Sequence, residues 1–157
     1  MFTSVPVGPD DQAFLFDLYA ASRRDELAAW GWDEAQQAAF LRIQFTAQQR
    51  SYEWQYPDAD HRLILVEGEK AGRIMVWRGQ DRIQLVDVAL LPQYRRRGIG
   101  LALLQDLQQE TAAVGKPLAL SVLKTNDGAR RLYERLGFRI TGDHDPYIAM
   151  VWDGDAR

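Results

Sequence analysis

Residues Leu85 to Leu104 read LVDVALLPQYRRRGIGLALL. The first six are an apolar run interrupted by one carboxylate, as in a buried strand. Pro92 breaks the run, because proline has no N–H to give a sheet ladder. Three arginines and a Gly-Ile-Gly follow, and an apolar pattern at helical spacing begins at once. The first turn of a helix carries unbonded N–H groups and the positive end of the helix dipole. Gly98 and Gly100 lack a Cβ, so an anion can approach the backbone closely. Such a loop suits a phosphate or pyrophosphate, and Arg95, Arg96 and Arg97 reinforce it with positive charge. Other phosphate loops fit worse. Leu101 and Ala102 stand where a P-loop needs Lys and Ser or Thr, and Leu103 stands where a dinucleotide fingerprint needs a third small residue.

Working outward, RLILVEG, AGRIMVWRG and DRIQLVDVALL are β-rich runs separated by glycine-containing turns. They predict a meander of three antiparallel strands. Nearer the start, FTSVPV (Phe2 to Val7) predicts a short strand. Asp10 or Asp11 then caps a helix with Phe14, Leu15, Leu18 and Tyr19 on its apolar stripe. RRDELAAWGW reads as a connector with some helical character, and a second helix is expected from Asp33 to about Tyr52. After the opening stretch, a helix from about Gly98 to Val114 ends at Gly115. A buried strand follows at Pro117 to Leu123. A short helix comes next, capped by Asn126 or Thr125 and ended by Gly137. Two strands, FRITG and PYIAMVWD, close the pattern. The predicted order is β-α-α-β-β-β-α-β-α-β-β. It describes an α/β (α+β) fold with a mixed, mostly antiparallel sheet of about seven strands flanked by helices. With no repeat, linker or low-complexity segment, residues 1–157 read as one domain.

The chain holds 19 Lys plus Arg against 22 Asp plus Glu, a net charge of −3. That argues against a general nucleic-acid binder, which needs a broad basic excess. With no cysteine, disulfides, thiolate nucleophiles and Cys-rich zinc sites are excluded. His61 and His144 have no partner at a metal-ligand spacing, so no metal is expected and both histidines read as surface or loop residues. The start, MFTSVPVGPDDQ, lacks a basic segment followed by an apolar run, so no signal peptide is expected. No apolar stretch approaches the ~20 residues of a membrane span. A cytoplasmic protein, with no nucleic-acid or membrane partner, is the expectation.

LVDVALLPQYRRRGIGLALL resembles the strand-to-helix signature of the GNAT superfamily of acetyl-CoA-dependent N-acetyltransferases, Gln/Arg-x-x-Gly-x-Gly/Ala, met by Arg95, Gly98 and Gly100. Downstream, SVLKTNDGARRLYERLGF resembles the family's second signature through Asn126, Ala129, Leu132, Tyr133, Leu136, Gly137 and Phe138. A helix and a strand separate the two motifs, as in the family. The resemblance covers about Leu85 to Phe138.

The resemblance implies acetyl-CoA as co-substrate and acetyl transfer to a primary amine of a small molecule or peptide. Transfer would be by direct attack in a ternary complex. The backbone amides of Arg95, Arg96, Arg97, Gly98, Ile99, Gly100 and Leu101 would grip the pyrophosphate. The pantetheine arm would pair with the backbone of Val88, Ala89 and Leu90, where the fourth strand splays from the fifth. Asn126 would hydrogen-bond the arm from the other side, a role compatible with helix capping. Tyr133 would be the general acid that protonates the departing thiolate, since a phenol keeps its proton at pH 7; the other reading is an aromatic core residue. Asp87 is the first candidate for the base, because an unpaired carboxylate in a buried strand is costly. It could equally be a salt-bridged structural residue. Glu67 and Glu53 are weaker candidates. In members that acetylate ribosomal proteins a Glu often stands where this chain has Ser121, a departure that counts against that subgroup. A sensor that binds acyl-CoA without turnover is the alternative function, and a homodimer is an open alternative for assembly.

Family acceptor pockets are commonly built by the first two helices, their connector and the last strands. Here that region carries Trp30, Trp32, Tyr52, Trp54 and Tyr56, with Asp25, Glu26 and Glu53. Aromatic faces beside carboxylates would suit a cationic amine. The same aromatics could simply pack the helices onto the sheet.

Overall fold

The computed structural model describes residues 1–154; the remaining three residues and the side chain of Asp25 lie outside the description. Strand β1 (Phe2–Pro6) leads through a 3-10 turn (Pro9–Asp11) into α1 (Gln12–Ala28) and α2 (Glu34–Gln55). Strands β2 (Asp60–Val66), β3 (Glu69–Arg78) and β4 (Ile83–Leu90) follow, then a 3-10 turn (Pro92–Tyr94) and α3 (Ile99–Val114). The chain continues through β5 (Leu118–Leu123), α4 (Asp127–Arg135), β6 (Arg139–His144) and β7 (Tyr147–Trp152). The strand and helix order is the expected one. The strands form one sheet in the order β1-β2-β3-β4-β5-β7-β6. The β1–β2, β5–β7 and β6–β7 pairs are antiparallel, and β4–β5 is parallel.

Two local expectations need correction. RRDELA, read as the start of a connector with some helical character, is wholly helix, because α1 runs on to Ala28. Leu27 gives that extension its reason: it is fully buried and packs in a cluster with Ala20 and Leu41. At the start of α1, Asp11 caps a 3-10 turn instead of the helix itself. The Gly8 N–H donates to the Asp11 carboxylate at 2.7 Å.

The chain divides into two compact units. The first joins Met1–Met75 to Asp87–Arg96. Its core sets Leu15, Phe45 and Leu63 together, with Phe14, Phe16 and Tyr19 packed against them. Asp33 caps α2 by accepting from the Gln36 N–H at 2.8 Å, and the Gln36 side chain accepts from the Asp33 N–H in return. This reciprocal cap fixes where α2 begins. Leu41 and Phe45 form its inner face, which the alanine-rich sequence had concealed.

The second unit joins Val76–Val86 to the described residues from Arg97 on. Ile99, Leu103, Leu104, Leu107 and Thr111 form the buried stripe of α3, one face at helical spacing. Along β5, Leu118, Leu120 and Val122 are buried, and Leu120 pairs with Met150 and Val122 with Ile148 on β7. The Gln108 amide donates to the Leu136 carbonyl at 2.9 Å and ties α3 to the end of α4.

Candidate active site

The loop between β4 and α3 enters its helix through an unusual backbone. Arg96 (φ 63°) and Gly98 (φ 82°) both lie in the left-handed region, two residues apart. A residue with a Cβ costs about 1–2 kcal/mol there, so Arg96 marks a loop held in a special shape. Gly98 is the N-cap of α3, and no side chain caps that helix start. The first intrahelical bond runs from the Ala102 N–H to the Gly98 carbonyl at 3.0 Å. The amides of Ile99, Gly100 and Leu101 precede it, at the positive end of the dipole. A Cβ added at Gly98 or Gly100 would meet nothing within 4 Å, so the space before these amides is open. The arginines divide their work. Arg95 Nε donates back to the Leu90 carbonyl at 3.0 Å and clips the end of β4, while Arg96 and Arg97 are exposed.

On the approach to this loop, Val88, Ala89 and Leu90 are half-buried. The Leu91 N–H donates to the Ala71 carbonyl at 2.8 Å. Gly72 on β3 is why the backbones fit. A methyl there would run into the Ala89 carbonyl oxygen and stand 2.9 Å from Leu90 Cδ2 and 3.0 Å from Leu90 Cα. The parallel ladder between β4 and β5 consists of Ile83↔Leu118 and Gln84↔Ala119.

Asp87 belongs to a polar cluster, centred on Arg73, that the sequence did not disclose. Arg73 on β3 pairs with its Oδ2 and is 4% exposed, the one buried charged side chain among the described residues. The same Arg73 Nη2 donates to Gln48 Oε1 on α2 at 2.9 Å, and the Tyr52 ring centroid lies 5.8 Å from the guanidinium carbon. Arg73 Nη1 lies 3.5 Å from His61 Nε2 on β2. A guanidinium only donates, so the imidazole lone pair faces it and the ring proton belongs on Nδ1. His61 is thus no surface or loop residue, against expectation; it is half-buried in a strand. Burial first, then the Arg73 charge, lowers its pKa from 6.5 to about 4, overcoming the opposing pull of Asp87 and Asp60. His144 is exposed, as expected.

Tyr133 is the buried residue of α4, with its ring centroid 5.7 Å from that of Phe138. Leu132 and Leu136, the expected inner pair, are only half-buried. Asn126 caps α4 by accepting from the Ala129 N–H at 3.2 Å, so its carboxamide N–H groups are not used by the cap. Ser121 is exposed on β5, paired in register with Ala149. Glu67 lies in the turn between β2 and β3, exposed, with φ 51°.

The aromatic residues of the expected acceptor region part into three environments. Trp30, Trp32 and Phe40 stack edge to face, with centroids 5.2 to 5.8 Å apart, and so pack the connector onto α2. Trp54 is 87% exposed. Tyr52 and Tyr56, with Glu53, His61 and Arg73, line a cavity of about 180 Å³. Gln49 and Gln12 also line it, joined by a 2.7 Å hydrogen bond. Glu26 is held in an ion pair with Arg23 at 2.9 Å. Asp25, the remaining carboxylate of the expected acceptor region, has its side chain outside the description. No helix among the described residues is long and apolar enough to cross a membrane.

Comparison with known proteins bears on this geometry. The Acetyltransferase (GNAT) family model matches residues 14–138. Thialysine N-epsilon-acetyltransferase of Mus musculus is 26% identical over 106 residues, 60% of this chain and 62% of that protein. The chain therefore spans less than two thirds of that relative's length. Among solved structures, the PaiA N-acetyltransferase of Thermoplasma acidophilum in complex with coenzyme A has a TM-score of 0.74 at 16% identity. The superposition covers 98% of this chain and 99% of that one. The ribosomal-protein-S18-alanine N-acetyltransferase of Escherichia coli gives 0.60 at 21% identity, over 96% and 92% of the two chains. These structural likenesses concern the fold, whereas the family model covers both motifs, and by that match this chain belongs to the GNAT acetyltransferase family.

Proposed function

We propose that this chain is an N-acetyltransferase that moves an acetyl group from acetyl-CoA to a primary amine of a small molecule or peptide. The observation that carries the reading is the start of α3: a helix without a side-chain cap, entered through left-handed Gly98, with open space before its first amides. Those N–H groups and the dipole suit a pyrophosphate, the anionic part of coenzyme A. The coenzyme A complex of a protein with this fold supports the same ligand.

The Arg95 N–H already donates to the Pro92 carbonyl at 3.2 Å, so in this reading the amides of Arg96 through Leu101 hold the pyrophosphate, with Arg96 and Arg97 adding charge. The backbone of Val88, Ala89 and Leu90 offers ladder bonds to the pantetheine amides. The Asn126 carboxamide donates to the same arm while its oxygen caps α4. Bound acetyl-CoA supplies an acyl group activated as a thioester. Asp87 takes the proton that the amine sheds as the C–N bond forms. Tyr133 gives its phenolic proton to the sulfur as the C–S bond breaks. Both residues then exchange protons with solvent and return to their starting states. The cavity lined by Tyr52, Glu53 and Tyr56 receives the acceptor, its aromatic faces and carboxylate suiting a cationic amine.

A panel of primary amines incubated with acetyl-CoA, read by release of free thiol, tests the proposal. Thiol release that depends on one class of amine supports transfer. Tight acetyl-CoA binding with no amine-dependent release from any member would refute it.

A further inference from the structure

Arg73 invites the question of why a guanidinium is buried in a strand at all. Desolvating an ion costs several kcal/mol, and a hydrophobic residue of similar size is often at least as stabilising. AGRIMVW is otherwise an apolar run, and Ala71 through Val76 are all buried. Arg73 nevertheless joins three elements around its one guanidinium. Its Nη2 reaches Gln48 on α2 and Asp87 on β4, and its Nη1 faces His61 on β2. Packing alone would not need such a hub.

The orientation of Asp87 gives the hub a purpose. Its Oδ2 faces Arg73, while its Oδ1 has no hydrogen-bond partner among the described residues, and the side chain is 25% exposed. One oxygen is anchored and the other is left open. Gln48 accepts from the same Nη2 that pairs with Asp87, and the Tyr52 ring lies 5.8 Å from the guanidinium carbon. His61, being uncharged, brings no second cation to compete for the carboxylate. A base gains rate from being held in one geometry, because the ordering is done before the substrate arrives.

We infer that Arg73 is a positioning residue: anchored by Gln48, it fixes Asp87 through Oδ2 so that Oδ1 is presented to the acceptor amine. The inference rests on the reading of Asp87 as the proton acceptor. It extends that reading to a residue outside both family signatures.

A double-mutant cycle separates positioning from mere structure, using Arg73→Gln, Arg73→Lys and Asp87→Asn. The assay is steady-state acetyl transfer to the best amine of the panel, run well below the lowest melting temperature of the set. Arg73→Gln should lower kcat roughly tenfold or more with a smaller change in the KM for acetyl-CoA. In the Asp87→Asn background the same change should lower kcat less than about twofold, because no base remains to be positioned. Arg73→Lys, which keeps the charge, should recover part of the loss. An equal fold-loss of kcat in both backgrounds would overturn the inference and make Arg73 structural. No loss in either background would overturn it as well. If Asp87→Asn alone turns over at the wild-type rate, the base assignment itself fails, an outcome distinct from the other two.

Discussion

Replacing His61 with glutamine should flatten the acid side of the stability profile. In the folded protein the imidazole protonates only near pH 4, while in the unfolded chain it does so near its ordinary 6.5. Between those values the unfolded chain holds a proton that the folded chain refuses. Stability therefore rises with pH across this window. The contribution is fully present above pH 6.5, is lost as pH falls towards 4, and changes no further below that. The span from about 4 to 6.5 would be worth ~3 kcal/mol at 1.36 kcal/mol per pH unit. The ring is only half-buried, so solvent screening reduces the expected effect to about 1–2 kcal/mol. Urea unfolding at pH 7 and pH 4.5 measures it, with the carboxylates common to both proteins cancelling in the difference. The wild type should lose about 1–2 kcal/mol more than His61→Gln between the two pH values. Equal losses would refute the placement of a neutral imidazole against Arg73.

Gly72→Ala should destabilise the protein by roughly 1–3 kcal/mol, read by urea melts, because the new methyl meets the Ala89 carbonyl. It should also weaken acetyl-CoA binding measured by calorimetry, since Ala89 and Leu90 must move aside. Tyr133→Phe keeps the buried ring and removes the proton. Turnover should fall roughly 10²-fold with little change in cofactor affinity, and a wild-type rate would leave Tyr133 as packing alone.

Much of the architecture is legible in the sequence because its signals are local. Proline and glycine punctuate the strands, and Asp33, Asn126, Gly98 and Gly115 mark helix ends by cap chemistry that depends on few neighbours. The far end of α1 was not legible. RRDELA carries four charged residues, and the burial of Leu27 beside Leu41 gives it a reason to be helix. The candidate site divides in the same way. The loop proposed to hold the pyrophosphate is one continuous stretch, so spacing exposes it. The Arg73 cluster is assembled from α2, β2, β3 and β4, and no spacing rule joins Gln48, His61, Arg73 and Asp87. One signal was available: two opposite charges, each alone in an apolar run, on strands adjacent in a meander. The costly burial of one is the reason for the other.

If the loop into α3 holds the pyrophosphate of coenzyme A, calorimetric titration of acetyl-CoA into wild type and Gly98→Val will register it. Gly98 sits at φ 82° with open space beyond its Cα. A branched side chain would intrude where the phosphates bind and would oppose the left-handed backbone. Circular dichroism and the melting temperature of the ligand-free variant check that it folds. The account predicts that the wild type binds acetyl-CoA, and that folded Gly98→Val binds it at least about tenfold more weakly, a loss of ~1.4 kcal/mol or more. An unchanged dissociation constant in the folded variant would contradict it.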